Sequence, residues 1–503
     1  MIELNLADVR PPKIRPPSHP PTVEQQHILD LAKTDGVLKV IAGAGTGKTA
    51  TLVMSADQDP RPTLYMAFNK DMATEAYARM PDHVTCQTTH SVAFGFFGRA
   101  LSEAGKLSRP YGAYVNVKGT GKEIAISMRL AGSRKADGSQ LPPSVIGNCV
   151  LATVAAFEQS ADIALGFDHL RLSEHIDPVL CNAVGPEVLR AAKKLWKERI
   201  DVNCNTLATH DTYLKLFQLS KNPMDRYEVV MLDEAQDTNA CVLDIFSSMS
   251  AKLKILVGDP YQQIYAWRGS VNAMEQVVAR EAFLTESFRF SQGVAEVANY
   301  LLNMFEPAKF TVKGLGQTRM VDRRQIIGPH TCLFRTNAGL LSLAMTLIPQ
   351  GAKVELNTDV KDLVRLVEAA ISLQTGNMNG VKHPTLMPYN SWLEIVEESA
   401  SSPELRRLVI MEADYTLNVV LATLKAYKKP PNPDIVLTTA HKSKGLEYDN
   451  GILANDFKEL DDITEEERNL LYVALTRFKK LLALNLVIID IVNQEIEKNG
   501  QPA

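Results

Sequence analysis

The stretch VLKVIAGAGTGKTATL (37–52) joins an apolar run, a glycine-rich turn and a helix-like segment. The run VLKVIA (37–42) has the length and β-branched content of a strand buried on both faces of a parallel sheet. Gly43, Gly45 and Gly47, interleaved with Ala44 and Thr46, let the backbone curl until its N–H groups converge, which suits an anion. A helix starting at Lys48 would add the positive end of its dipole. At this spacing Lys48 reaches the β- and γ-phosphates of a nucleoside triphosphate, and Thr49 holds Mg²⁺. One position departs from the GxxxxGK[ST] pattern: its first glycine is Ala42. The alanine narrows the choice of family and leaves the phosphate site standing.

One hydroxyl does not hold Mg²⁺, so an acidic partner is required. VVMLDEAQD (229–237) supplies it, because its apolar residues end in Asp233 and Glu234, where strands of α/β sheets carry their sites. Asp233 would bind the metal through water. Glu234 would orient and deprotonate the attacking water. An acidic helix N-terminus is the plainer reading of the Asp-Glu pair; the phosphate loop upstream favours the site.

Further apolar runs extend the pattern in both directions. TLYMAF (63–68) and LKILVG (253–258) complete a first α/β series. AFLT (282–285), TCLFR (331–335), IVLTT (435–439), GILA (451–454) and LLALNLVI (481–488) form a second. LNLVIIDIV (484–492) reads as a buried strand, since Asn485 and Asp490 interrupt it and a membrane span needs about 20 apolar residues. The expected fold class is α/β, with two parallel-sheet blocks, each interrupted by a mostly helical insertion. The first block is read as 22–100 and 221–283, with its insertion at 101–220. The second is read as 284–345 and 431–490, with its insertion at 346–430. Residues 1–21 form a Pro-rich tether and 491–503 a tail. LAGSRKADGSQLPPS (130–144) reads as a loop. SWLEIVEESA (391–400) and the run 403–429 read as core-facing amphipathic helices.

Composition sets outer limits. At about 150 residues per domain, the 503 residues call for three to four domains, so no disulfide or metal staple is needed. The chain is 45% hydrophobic and 22% charged, which excludes bulk disorder and a coiled-coil rod. Lys and Arg number 54 against 58 Asp and Glu, so a generally basic coat is excluded while a local basic channel is not. Cys86, Cys149, Cys181, Cys204, Cys241 and Cys332 form no CxxC pair and read as inert thiols of a reducing compartment. MIELNLADVR (1–10) lacks the apolar core of a signal peptide. The expected setting is intracellular and without a membrane, in the cytoplasm or at the nucleoid.

The chain resembles the superfamily 1 DNA helicases of the Rep/UvrD/PcrA type over nearly its whole length. PTVEQQHIL (21–29) is similar to their glutamine motif, AGAGTGKT (42–49) to their phosphate loop, Ala42 included, and DEAQD (233–237) to motif II. MAFNKDMATEA (66–76) resembles motif Ia and TTHSVAF (88–94) motif Ib. VGDPYQQIYAWRGS (257–270), LTESFRFS (284–291), TTAHKSKGLEYD (438–449) and EEERNLLYVALTR (465–477) resemble motifs III to VI in order. THDTYLKLFQLSK (209–221), FEQSAD (157–162) and AHKSKGLEYD (440–449) are most similar to the F-box DNA helicases. The short segment before Gln25 leaves no room for an F-box, so ubiquitin-ligase coupling is not carried over.

The resemblance implies two RecA-like domains, 1A and 2A, with ATP in the cleft between them and insertions 1B and a reduced 2B. It implies that Gln25 reads adenine, that Phe288 stacks on it, and that Glu447 contacts the nucleotide sugar. Gln262 would sense the γ-phosphate. Arg289 and Arg477 would meet that phosphate from the second domain, where a permanently charged planar guanidinium stabilises the transition state. Phe68, Asn69, Thr89, His90, Tyr265, Trp267, Arg268 and His441 would line a track for single-stranded DNA, with aromatic stacking worth about 1–3 kcal/mol per base. The implied activity is ATP hydrolysis with Mg²⁺, driving 3′→5′ movement on single strands and at single-strand/duplex junctions. Repair, recombination or replication would be its setting, with a monomer expected in isolation. The rival reading is an ATP-gated clamp that strips proteins from DNA with little unwinding. An RNA translocase is a third.

Overall fold

The computed structural model describes residues 13, 19–107, 121–134, 140–172, 176, 178–264, 272–383, 385–387, 389–399 and 403–498. Most of the Pro-rich stretch 11–21, and the segment carrying Tyr265, Trp267 and Arg268, lie outside them. The chain divides into two compact units. One draws on 1–118, 153–169 and 192–286, the other on 119–152, 170–191 and 287–503.

In the first unit, strand β1 (Gly36–Ala42) sits second from the edge of a six-stranded sheet. Its companions are β2 (Thr63–Ala67), β3 (Val84–Thr88), β4 (Val229–Leu232), β5 (Leu253–Gly258) and β6 (Arg280–Leu284). The order is β3-β2-β4-β5-β1-β6 and every pairing is parallel. Leu38, Val40, Tyr65, Val229, Met231, Ile255 and Val257 pack into one core. Burying such an aliphatic side chain is worth about 1.5–3 kcal/mol, which is why these strands read as unbroken apolar runs. The one charge inside β1, Lys39, is buried and reaches Glu281 at 2.7 Å and the Val277 carbonyl at 2.8 Å. Helices α1 (Val23–Ala32), α2 (Lys48–Gln58) and α3 (Lys70–Arg79) belong to this unit.

The second unit has its own six-stranded parallel sheet. Its strands are β7 (Arg319–Met320), β8 (His330–Phe334), β9 (Val354–Leu356), β10 (Ile435–Thr439), β11 (Tyr448–Leu453) and β12 (Phe478–Ala483). The order is β7-β12-β11-β8-β10-β9. Leu340, Leu366, Val367, Leu373, Leu408 and Val420 share its core with β8, β9 and β10. Edge strand β9 comes from the stretch 346–430 read as an insertion.

Three expectations need correction, and a fourth, the helical reading of 403–429, holds with a break. AFLT reads as part of the second series, yet β6 pairs with β1 in the first sheet, Ala42 opposite Leu284. Sequence order says nothing of which sheet takes a strand. LNLVIIDIV is not a strand: helix α6 (Leu486–Lys498) occupies it. Asn485 turns its side chain onto the Ile488 N–H (3.1 Å), and Val487, Ile488 and Ile491 form the buried face. The β-branched residues hid this helical spacing. Within 130–144 the described residues hold a minimal antiparallel pair, Ser133–Arg134 with Gln140–Leu141. The run 403–429 is two helices, Pro403–Tyr415 and Leu417–Ala426. They break at Thr416 (φ +60°), where the Glu412 carboxylate takes the Leu417 N–H at 2.6 Å. Among the described residues no helix is long and apolar enough to cross a membrane.

Candidate functional site

Because all six strands of the first sheet are parallel, their carboxyl ends share one edge, where α/β proteins place their ligands. Read across the sheet, that edge carries Thr89 and His90 after β3, then Phe68 and Asn69 after β2. Asp233 and Glu234 follow β4, Asp259 and Gln262 follow β5, and the glycine loop follows β1. The nucleotide candidates thus cluster at β4, β5 and β1, and the DNA candidates of this unit at β2 and β3.

The loop between β1 and α2 has the geometry of a phosphate cradle. Gly45 and Gly47 adopt φ of +72° and +84°, which a side chain would resist. Thr46 Oγ1 donates to the Gly43 carbonyl at 2.9 Å and closes the loop on itself. Ala42 needs no glycine conformation, being the last, fully buried residue of β1. Gln25 packs against this loop: its Nε2 donates to Thr51 Oγ1 (3.2 Å) and its Oε1 accepts from the Thr22 N–H (3.0 Å).

The acidic pair meets the loop directly. Lys48 Nζ lies 3.3 Å from Glu234 Oε1, both side chains nearly buried. Burial pulls the Lys48 ammonium down, but the carboxylates of Glu234, Asp259 and Asp233 outweigh it and the net displacement is upward. Thr49 Oγ1 stands 3.5 Å from Asp233 Oδ2. Burial, then the Glu234 charge, pushes the Asp233 carboxyl up to about 6. A divalent cation between Thr49 and Asp233 would supply the charge this carboxylate calls for, so the residues fit Mg²⁺. Glu234 itself sits at φ +50°, ψ +44°, a left-handed conformation uncommon outside glycine and found at strained functional positions. Gln236 holds it there, donating from Nε2 to Glu234 Oε2 (2.5 Å) and accepting the Asp259 N–H (3.1 Å). Asp259 in turn accepts from Gln262 Nε2 at 2.6 Å. Gln262 is therefore linked to Glu234 through Asp259 and Gln236.

In the second unit, Arg289 donates to Glu447 Oε1 from Nε (2.9 Å) and Nη2 (2.7 Å), and to the Thr476 carbonyl from Nη1 (2.9 Å). Burial opposes ionisation of Glu447, yet the Arg289 guanidinium holds its carboxyl below the usual range. Arg477 follows Thr476, is buried, and donates to the Val473 carbonyl at 2.8 Å. Glu447 and Arg477 each immediately precede a strand, β11 and β12, so they share the amino-terminal edge of this sheet. Phe288 is 51% exposed, so it is not a core residue. His441 lies after β10, at the opposite edge.

The DNA candidates of the first unit differ in availability. Phe68 is exposed. Asn69 caps α3, accepting the Met72 N–H at 2.9 Å, and Thr89 is buried at the start of helix α4 (Thr89–Ala93). His90 is half-exposed, with Nε2 3.0 Å from Asp211 Oδ1. Sequence reading gave no role to Tyr65, Gln236, Asp259 or Asp211. Gln236 and Asp259 stood inside quoted motifs; Tyr65 was hidden as one apolar letter of a strand.

The fold and this site define a class: an α/β protein with two RecA-like parallel sheets, one carrying a phosphate loop with its acidic partner. Residues 187–279 match the UvrD/REP helicase N-terminal domain and residues 434–484 the UvrD-like helicase C-terminal domain. The chain thus carries matches to both an N-terminal and a C-terminal UvrD-type helicase domain. It is 31% identical to F-box DNA helicase protein 1 of Schizosaccharomyces pombe, over 92% of this chain and 57% of the relative. It is 29% identical to F-box DNA helicase 1 of Gallus gallus, over 92% of this chain and 49% of the relative. The ATP-dependent DNA helicase PcrA of Bacillus subtilis is 23% identical over 63% of this chain and 48% of its own length. The chain spans about half the length of the two F-box helicases. The likeness read from FEQSAD, THDTYLKLFQLSK and AHKSKGLEYD is borne out.

Proposed function

We propose that this chain is an ATP-dependent DNA helicase or translocase that hydrolyses ATP with Mg²⁺ and moves 3′→5′ on single-stranded DNA. The observation that carries the reading is the meeting of Lys48, Thr49, Asp233 and Glu234 at one strand edge. When bound, Mg²⁺ would supply charge neutralisation at the β- and γ-phosphates, held by Thr49 and, through water, Asp233. The loop N–H groups and Lys48 bind the phosphates. Arrival of the phosphates draws Lys48 away from Glu234, leaving that carboxylate to orient the attacking water and take its proton. Gln262, tied to Glu234 by way of Asp259 and Gln236, reports the γ-phosphate. By the resemblance, Arg289 and Arg477 supply the guanidinium charge that stabilises the transition state. Phe288 supplies an exposed aromatic face for adenine, with Gln25 as the polar partner. The stretch 101–220 includes subdomain 1B, and 346–430, which also gives the second sheet its edge strand β9, serves as a reduced 2B. Phe68, His90, Trp267 and His441 make the strand contacts, with Tyr265 and Arg268 beside Trp267.

The test is ATP turnover without nucleic acid, with single-stranded DNA and with RNA, using Glu234→Gln as the blank. Strong stimulation by DNA alone supports the reading. Equal stimulation by RNA, or none by either, overturns it. Displacement of a bound protein without strand separation would leave the ATP-gated clamp in its place.

A further inference from the structure

Two stretches with the spelling of F-box DNA helicases, FEQSAD (157–162) and THDTYLKLFQLSK (209–221), play no part in the nucleotide site. In the structure they meet each other. The buried Glu158 carboxylate accepts from Thr212 Oγ1 (2.6 Å) and Thr209 Oγ1 (3.2 Å) at the start of helix α5 (His210–Leu219). Arg199 Nη1 lies 3.2 Å from both Glu158 oxygens. Lys215, also buried, donates to the carbonyls of Ser160 (2.9 Å) and Asp162 (2.5 Å), and Gln218 Nε2 to that of Ala161 (2.9 Å). Thr209, which caps α5, and Thr212, Lys215 and Gln218 within it all bond to 157–162, so α5 is tied down along its length.

The residues between them face another way. Asp211 Oδ1 lies 3.0 Å from His90 Nε2. The Tyr213 ring stands edge-on to the His90 ring, 6.1 Å between centroids at 86°, and edge-on to Phe94 at 5.7 Å and 80°. The Tyr213 hydroxyl is fixed in turn, 3.0 Å from His210 Nδ1. His90 itself begins the chain's departure from the sheet edge, which passes through a π-helical turn, Phe94–Gly98. A Cβ on Gly98 would stand 2.4 Å from the Phe94 ring, so the glycine permits that turn. Turns of this kind recur at functional sites. A carboxylate on one imidazole nitrogen fixes both the ring's orientation and its proton.

We propose that Asp211 is a positioning residue for DNA: its hydrogen bond to Nε2 aims the His90 imidazole at the strand, and the clasp of α5 on 157–162 keeps Asp211 in place. The proposal rests on the assignment of His90 to the DNA track. It gives the first insertion a share in DNA binding without requiring it to touch DNA, since Glu158 and Arg199 both come from that stretch.

The test uses the full chain with a fluorescent oligothymidine, read by anisotropy and by ATP turnover against oligonucleotide concentration. In Asp211→Ala the half-saturating concentration should rise about tenfold, the loss expected of one hydrogen bond to a charged group. Turnover without DNA and at saturating DNA should be unchanged. Asp211→Asn, which can still accept from Nε2, should recover most of the affinity. Adding Asp211→Ala to His90→Ala should cost nothing further, because a residue that acts through another has no effect once that one is gone. An unchanged half-saturation in Asp211→Ala, an Asn variant as weak as the Ala variant, or additive losses in the double variant would each overturn the proposal. A wild-type chain that binds no oligothymidine would bring down the DNA reading and this inference together. Wild-type binding with an indifferent Asp211→Ala would bring down the positioning role alone.

Discussion

Tyr65 Oη donates to Asp233 Oδ2 at 2.5 Å, so the strand beside β4 supplies a hydrogen bond to the carboxylate that would face the metal. Tyr65 is 1% exposed, and burial and then the Asp233 charge push its own ionisation well above the ordinary tyrosine range. It is therefore a fixed donor. With Oδ2 taking the Tyr65 hydroxyl and Oδ1 the Glu234 N–H at 2.8 Å, the carboxylate is held in a set direction, as partners of metal ligands do.

Tyr65→Phe removes that donor and little volume. The Mg²⁺ concentration for half-maximal ATP turnover should rise about 10-fold or more, in the range seen when a ligand's partner is lost. Turnover at saturating Mg²⁺ should fall less. A magnesium titration of the ATPase checks this, and an unshifted midpoint refutes it.

Lys48 and Glu234 make opposite demands of the same contact. Lys48→Ala takes away the phosphate partner and should abolish detectable hydrolysis while weakening ATP binding. Glu234→Gln leaves the loop and Lys48 intact, so ATP should bind normally while turnover drops by about 10²–10⁴, the usual share of a general base. Equilibrium binding of a fluorescent ATP analogue, run beside the turnover assay, separates the two. Normal hydrolysis in Lys48→Ala would refute the site.

Arg289 and Glu447 face each other in a partly exposed ion pair, worth about 0–1 kcal/mol to stability at best. If the pair served stability alone, its loss would be nearly silent. Arg289→Ala should instead cut ATP turnover by about 10³, the scale of a lost arginine finger, with a melting temperature near that of the wild type. Glu447→Gln should be far milder, since it leaves the guanidinium in place. A matched drop in stability and turnover would argue for a structural role.

Much of this was legible in the sequence because parallel sheets write themselves as apolar runs and the phosphate loop needs glycine at fixed places. Lys48, Thr49, Asp233 and Glu234 can be named and paired from the sequence, since their chemistry is local to two strand ends. What failed were readings that depend on long-range partners. AFLT gives no sign of which sheet receives it. LNLVIIDIV has strand-forming letters at helical spacing, and only the Asn485 cap and the buried Val487, Ile488 and Ile491 decide between them. Tyr65 and Asp211 were missed because each acts on a residue more than a hundred positions away.

The Glu158–Arg199 pair allows a test of stability independent of catalysis. Glu158 is 1% and Arg199 3% exposed, and the carboxylate also takes the Thr209 and Thr212 hydroxyls. Removing one partner leaves an uncompensated buried charge, which costs about 3–5 kcal/mol. Replacing both removes the penalty along with the attraction. Glu158→Met and Arg199→Met should each lower the denaturation midpoint sharply, and the double variant should regain much of the loss. Urea unfolding of the four proteins gives the coupling directly. If the single losses simply add, the two charges do not act as a pair. Strong coupling would show that the buried carboxylate to which Thr209 and Thr212 bind at the start of α5 is held by this ion pair.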